Sequence, residues 1–401
     1  MTFLLVHLSM RFHSYLNSAV QILQQYRGQE PFASFLKKYF SANKKHGTKD
    51  RKQVSHLCYC YFRLGKSLWH ISVEERILFA LFLCSNEPNE ILGELKPELN
   101  NEVRKTLDEK YSILHDHDSL LKVFPWKEEL SEGIDHKKFC QSFFSQPDLF
   151  LRIRPGNENK VKEKLLKAEM DFREMNATCL ALPNASKIEG IIELDKEAIV
   201  QDYTSQQVGL YFKSAISNLI PIVIGTKINA WDCCAGSGGK SLLLNDINPG
   251  IDLTVSDVRD SILMNLEKRF AKAGIKKYKS FVADLTRNQK TITNSYDLII
   301  CDAPCTGSGT WSRTPEQLYF FDENKIEQYA ELQKKIVSNV IPSLKQNGWF
   351  VYITCSVFRK ENDEIVEFVQ KQFNLELIKM ELLRGYDKKA DTMFVALFRK
   401  S

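Results

Sequence analysis

Between residues 14 and 144 apolar side chains return every three or four positions, as in Phe32, Phe35, Leu36, Tyr39 and Phe40 and again in Val54, Leu57, Cys58, Tyr61 and Phe62. Residues spaced in that way share one face of a helix, so the stretch reads as an all-helical domain, taken as 1–144. From Pro147 the period changes. Residues 149–153 read as a strand, 157–168 as a helix and 177–182 as a second strand, with Pro155-Gly156 and Pro183-Asn184 marking turns. This is a small α/β linking domain over 145–205.

Beyond Pro221 short apolar runs alternate with amphipathic stretches. Strands are expected at 228–233, 252–256, 279–282, 297–301 and 349–354, and helices at 240–245, 260–273, 324–344 and 360–372. Such alternation belongs to a doubly wound, Rossmann-like α/β sheet. The tail breaks the rule. Residues 375–380 and 393–399 read as strands whose connection is too short for a crossover helix, so they should pair antiparallel. A parallel sheet ending in an antiparallel hairpin points to a methyltransferase rather than a dehydrogenase, over a domain taken as 206–401.

At 401 residues the chain exceeds one ordinary domain, and its 43% apolar and 26% charged residues are those of a globular protein. No apolar run approaches the roughly 20 residues that cross a bilayer, so no membrane is expected as a partner. The first nine residues are apolar but lack a basic leader and a small-residue cleavage site; no signal peptide is expected, and these residues are given no structural role. Ten cysteines without secretion imply reduced thiols in the cytoplasm, and the absence of Cys-x-x-Cys argues against a metal. Cys58, Cys60, Cys84, Cys140, Cys179, Cys233 and Cys301 lie in apolar surroundings and read as packing residues. A monomer is expected. The net charge of +5 is uneven, since residues 1–66 hold 11 Lys and Arg against Glu30 and Asp50 alone. A basic end of this kind can attract a polyanion, although a solvated helical surface has the same composition.

The first strand of the doubly wound region runs into Asp232-Cys233-Cys234-Ala235-Gly236-Ser237-Gly238-Gly239-Lys240-Ser241. Its glycines let the backbone turn sharply at the start of a helix and approach a ligand closely. A phosphate-binding P-loop needs glycine where Cys234 stands, and the dinucleotide pattern needs a last glycine where Ser241 stands. S-adenosylmethionine needs neither. It needs a close loop and an acidic residue ending the second strand, where Asp257 can accept from both ribose hydroxyls. Asp284 closes the third strand and can accept from the adenine amino group; a helix cap or turn is its alternative role. The cofactor set is therefore Cys234, Ala235, Gly236, Ser237, Gly238, Gly239, Lys240, Asp257, Arg259, Asp284 and Asp302.

Two cysteines stand at strand tips fifty residues apart: Cys305 in Asp302-Ala303-Pro304-Cys305 and Cys355 in Thr354-Cys355-Ser356. Ligands of open parallel sheets bind outside the carboxyl ends of the strands, so both thiols and Asp302 should face one site. Their chemistry suits cytosine. Carbon 5 of that ring is a poor nucleophile, but a thiolate adding to carbon 6 makes carbon 5 enamine-like and able to take a methyl from a sulfonium. A carboxyl at the ring nitrogen, the place for Asp302, stabilises the adduct. Afterwards the carbon 5 proton must leave and the thiol must be eliminated, which a second group assists. Residue types alone leave open which thiol does which. Trp311 and Arg313 follow the Asp302 loop and are candidates to line the base site, with packing the alternative for Trp311. Arg152 and Arg154 are candidates for phosphate contact, or a solvated strand edge.

The segments Asp232 to Ser241, Asp302 to Thr310 and Thr354-Cys355-Ser356 together resemble the RsmB/Nop2/Sun-type RNA (cytosine-5) methyltransferases. The likeness extends to the segment Val200 to Gln207, similar to the opening of that family's catalytic domain, and to Phe35 to Gly65 with Lys49-Asp50-Arg51, similar to the NusB-like RNA-binding domain of ribosomal members. It implies that Cys355 attacks the base and Cys305 assists release, whereas DNA cytosine methyltransferases attack with the Pro-Cys thiol. In one place the chain departs from the pattern: Gly236-Ser237 stands where the family carries Ala-Pro, which predicts a looser cofactor turn. The implied activity is methyl transfer from S-adenosylmethionine to carbon 5 of a flipped-out cytidine in structured RNA, with 16S ribosomal RNA the expected substrate. The alternatives are a transfer RNA methyltransferase and a catalytically inactive RNA-binding assembly factor.

Overall fold

The computed structural model describes residues 2–114, 120–220, 227–287 and 295–401, without the side chains of residues 2–9. The proposed boundary at Pro221 and the side chains of the apolar first nine residues lie outside the described residues. Contacts divide the chain into two units: Met1–Glu128 with Asp135–Gln146 and Trp311–Asp322, and Glu129–Ile134 with Pro147–Thr310 and Glu323–Ser401.

The first unit is helical, and its main helices are Thr2–Gln25, Phe32–Ala42, Thr48–Arg63 and Val73–Cys84. The periodic residues Phe32, Leu36, Tyr39 and Phe40 are buried on one helix, and Val54, Leu57, Cys58, Tyr61 and Phe62 on the next. Phe32 sits edge-on to Phe62 with ring centroids 4.9 Å apart. The unit also takes in the segment after Thr310, where sequence reading ran the catalytic domain without a break. Trp311 is 1% exposed and lies against Phe321, centroids 4.5 Å apart. It is a core residue of the helical unit, because an indole ringed by other aromatics has no face left for a base. Arg27, Lys37, Lys38, Lys44, Lys45, Lys49, Arg51 and Lys52 are exposed, whereas Arg63 is buried and donates to the Phe143 carbonyl at 2.6 Å.

The second unit holds two sheets. The smaller consists of β1 (Leu149–Ile153), β2 (Arg173–Asn176), β3 (Cys179–Leu182) and β4 (Ala198–Val200), in the order β2-β3-β1-β4 with every pairing antiparallel. Helix Glu158–Lys167 buries Val161 and Leu165 against Leu151, Ile153, Leu180 and Leu182. Arg152 on β1 and Arg154 just after it neither await phosphate nor form a solvated edge. Both are paired with the buried Asp246, at 2.6 and 2.7 Å, and Arg152 also donates to Gln201 at 2.6 Å. Burial still pulls the Arg152 guanidinium below its usual range, with Asp246 working against that pull.

The larger sheet contains β5 (Asn229–Asp232), β6 (Asp252–Asp257), β7 (Lys279–Val282), β8 (Tyr296–Asp302), β9 (Leu344–Thr354), β10 (Leu375–Leu383) and β11 (Met393–Lys400). Their order is β10-β11-β9-β8-β5-β6-β7. β5 to β9 run parallel, and β11 lies antiparallel to both β9 and β10, the hairpin that the short connection predicted. Alternate residues of β8 and β9 enter two cores, Leu298, Ile300, Val351 and Ile353 on one face and Ile299, Cys301, Phe350 and Tyr352 on the other. A sheet covered on both faces explains why these strands read as continuous apolar runs. Helix Asn324–Val340 ends earlier than its periodicity suggests. A 3-10 turn, Ile341–Ser343, follows at Pro342, whose ring fixes the backbone and removes a donor, and β9 begins at Leu344.

Candidate active site

The strand ends of the larger sheet assemble the site. β5 leads through a turn into helix Gly239–Ile247, and Gly238 before it has φ of +84°. A Cβ there would also come within 2.9 Å of Leu266 and Phe270, so only glycine suits the position. Asp257, at the end of β6 and 7% exposed, ties the loop down by accepting from the Gly236 amide at 3.0 Å and, through its other oxygen, from the Arg259 amide at 3.0 Å. Each carboxylate oxygen has a second lone pair, so acceptor capacity remains for a diol. Gly236 and Gly239 have nothing within 4 Å of where a Cβ would stand, a cradle that any side chain would fill. Asp284 folds back on its own turn, accepting from the Thr286 amide and hydroxyl at 3.1 and 2.6 Å, and those bonds hold its carboxyl below the usual range.

Behind the loop Asp232 is fully buried with Ser241 donating to one oxygen at 2.5 Å, and burial pushes it up to about 7. Lys240 reaches from the loop to Asp302 at the end of β8, 3.0 Å away. Burial works against its charge, but Asp302, with Cys355 and Asp232, more than offsets this and the ammonium is raised above its ordinary value. A firmly charged lysine therefore stands between the cofactor loop and the thiols.

Cys305 and Cys355 come together. Their Sγ atoms are 3.3 Å apart, each partly buried. The bond to Cys355, then burial, then Glu361 push the Cys305 thiol well up, so at neutral pH it keeps its proton and can donate to its neighbour. Two loops make this contact possible. Ala303 donates to the Ile353 carbonyl and Gly309 to the Cys355 carbonyl, both at 2.9 Å. A Cβ on Gly309 would lie 2.0 Å from the Thr392 carbonyl oxygen, so the close approach of three backbone segments depends on that glycine.

The residue that holds the loops is one that sequence reading missed. Glu361, with no exposed surface, accepts from the Thr306 amide at 2.9 Å and hydroxyl at 2.5 Å, from the Ser356 hydroxyl at 2.6 Å and from the Gln333 amide at 3.0 Å. Thr306 follows Cys305 and Ser356 follows Cys355, so one carboxylate positions both thiols. Burial raises its pKa, and its donors only partly offset that. The available signal was a glutamate at the start of an amphipathic helix, the usual place of a cap.

The chain resembles known methyltransferases in sequence and in fold. Residues 226–398 match the model of the family described as 16S rRNA methyltransferase RsmB/F. This region is an RsmB/F-family methyltransferase domain. The chain is 26% identical over 246 residues to the probable ribosomal RNA small subunit methyltransferase B of Bacillus subtilis, a match covering 60% of this chain and 53% of that protein. The chain thus spans about half the length of that curated relative. In fold it is similar to the crystal structure of PH0851, with a TM-score of 0.66 at 16% identity and coverage of 98% and 99% of the two chains. It is also similar to NSun6 from Pyrococcus horikoshii, solved with SFG, with a TM-score of 0.55 at 14% identity over 70% of this chain and 96% of that one. The RsmB/F-type domain takes S-adenosylmethionine as its cofactor. The open cradle at Gly236 and Gly239 and the carboxylate of Asp257 fit it.

Among the described residues no helix is long and apolar enough to cross a membrane.

Proposed function

We propose that this chain methylates carbon 5 of a cytidine in structured RNA, with Cys355 as nucleophile, Cys305 as the thiol of release and Asp302 at the ring nitrogen. The observation that carries the reading is the 3.3 Å approach of two thiols at strand ends beside a lysine–aspartate pair and a cofactor cradle. As the Cys355 sulfur bonds to carbon 6, its thiol proton passes to the ring nitrogen, where the Asp302 carboxylate, paired with Lys240, holds it as a hydrogen-bond acceptor. Bound S-adenosylmethionine supplies an electrophilic methyl, to which carbon 5 forms its new bond. Loss of the carbon 5 proton to solvent then expels the Cys355 sulfur and restores the aromatic ring, and the proton on the ring nitrogen returns to the thiol pair. Cys305, protonated and adjacent, is placed to return a proton to the departing thiolate. The exposed lysines and arginines of the helical unit, resembling a NusB-like domain, supply affinity for the RNA backbone. A 16S ribosomal RNA is the substrate this reading favours.

Cys355→Ala should abolish methylation, whereas Cys305→Ala should accumulate a protein–RNA adduct that survives denaturing electrophoresis. An adduct formed through Cys305 in Cys355→Ala would reverse the roles. Bisulfite sequencing of total RNA with and without the protein tests base and target together.

A further inference from the structure

The expectation that no metal binds rested on the absence of spaced Cys-x-x-Cys pairs, and the fold provides three thiols by another route. Cys233 and Cys234 are consecutive and would point to opposite faces if β5 continued through them. It does not. The strand stops at Asp232 and both cysteines lie in the turn that follows, so alternation no longer separates them. The Cys233 amide donates to the Ile300 carbonyl at 2.9 Å, which sets it beside Cys301 on the neighbouring β8. The three Sγ atoms all lie within 4.8 Å of one another, a grouping that stands apart from the Cys305 and Cys355 pair.

A zinc ion holds thiolates at about 2.3 Å, which separates bound sulfurs by about 4 Å in trigonal or tetrahedral arrangement. The three sulfurs, all within 4.8 Å of one another, already lie near that spacing. An all-sulfur donor set selects a thiophilic cation over calcium or magnesium. Cys233 and Cys301 are buried, while Cys234 is partly exposed and gives the ion a way in. We infer that Cys233, Cys234 and Cys301 form a site for one zinc-class cation, which ties the first residue of the cofactor loop to β8. Binding is an exchange: the ion gains three sulfur bonds and three thiol protons go to solvent. Cys234 directly precedes Ala235, whose amide donates to the Ser256 carbonyl at 2.9 Å, so an occupied site fixes the entry to the loop.

The test uses the full chain, reduced, stripped with chelator and reloaded with zinc, in a background where Cys305 and Cys355 are both serine so that this pair cannot compete. Elemental analysis after gel filtration should find one zinc per chain, with Cys233, Cys234 and Cys301 protected from alkylation. Cys301→Ala and, separately, Cys234→Ala should lose the bound zinc; Cys234 sits in a turn, so its variant keeps the test valid if the buried substitution unfolds the protein. Cadmium loading should give the ultraviolet band of sulfur-to-metal charge transfer in the background protein and not in either variant. Failure of the background protein to retain zinc, or retention of one zinc by a folded Cys234→Ala or Cys301→Ala variant, overturns the site.

Discussion

Glu197 in the small sheet and Glu361 beside the thiols are the same residue type with the same lack of exposed surface, yet their carboxyls are shifted in opposite directions. Glu197 lies just under the surface. Lys160 and Lys164 cover it at 2.6 and 2.8 Å, and with the Glu193 amide they overcome the cost of burial and hold it at about 2. Glu361 meets hydroxyls, an amide side chain and one backbone amide, with no cation among its hydrogen-bond donors, and burial prevails. The comparison teaches that partner type, more than depth, decides what a buried acid does. Cations make Glu197 a scaffold. Neutral donors make Glu361 a positioning device, whose geometry comes from short directional bonds to the two loops that carry the thiols.

The sharpest way to break that comparison is Glu361→Ala. It removes the acceptor shared by four donors in a closed space and should cost about 3 kcal/mol or more in urea unfolding, together with methylation, while calorimetric binding of S-adenosylmethionine persists. Equal loss of cofactor binding would mean that Glu361 supports the whole domain rather than the thiol loops. Glu361→Gln should be milder, about 1–2 kcal/mol, because one oxygen still accepts while the new amide faces donors.

The pH dependence sharpens the contrast further. A folded-state carboxyl raised above its unfolded value binds more protons folded than unfolded, so Glu361 contributes stability at low pH that is lost as pH rises through its raised value. Glu197 is the opposite case. Its contribution is present above the unfolded value of about 4.3 and is lost as pH falls toward about 2. Urea midpoints measured across pH should therefore show Glu361→Gln removing a decline on the rising side and Glu197→Gln removing one on the falling side. If both variants flatten the same side, partner type is not what separates the two residues. The smallest effect expected is that of Lys160→Ala, a barely measurable change in the urea midpoint because this lysine is 52% exposed and screened by solvent, with methylation unchanged.

What the sequence made legible was local. β8 and β9 announce themselves because parallel strands buried on both faces are continuous apolar runs, and the Asp302, Cys305 and Cys355 tips are recognisable because each motif is contiguous. Partners far apart in the chain were not legible. Gln333 meets Glu361 across 28 positions and Arg152 meets Asp246 across 94, and no spacing rule joins such pairs. β2 and β4 escaped because a largely exposed four-residue strand and a three-residue one are too short to show a period. Trp311 misled for a related reason: its neighbours in sequence belong to the site, whereas its neighbours in space, Phe124 and Phe321, belong to another core.

The placement of β11 sets an order of assembly. This strand, Met393–Lys400, is inserted between β9 and β10, with Phe394 opposite Thr354 and the Thr392 carbonyl seated against Gly309. A chain growing from its amino end makes both cysteines long before it makes the strand that lines up beside the second of them. During synthesis, then, β9, whose end leads to Cys355, has an open flank until the residues of β11 pair with it. The backbone that seats Gly309 and flanks Cys355 is therefore complete only once residues 392–400 have joined the sheet.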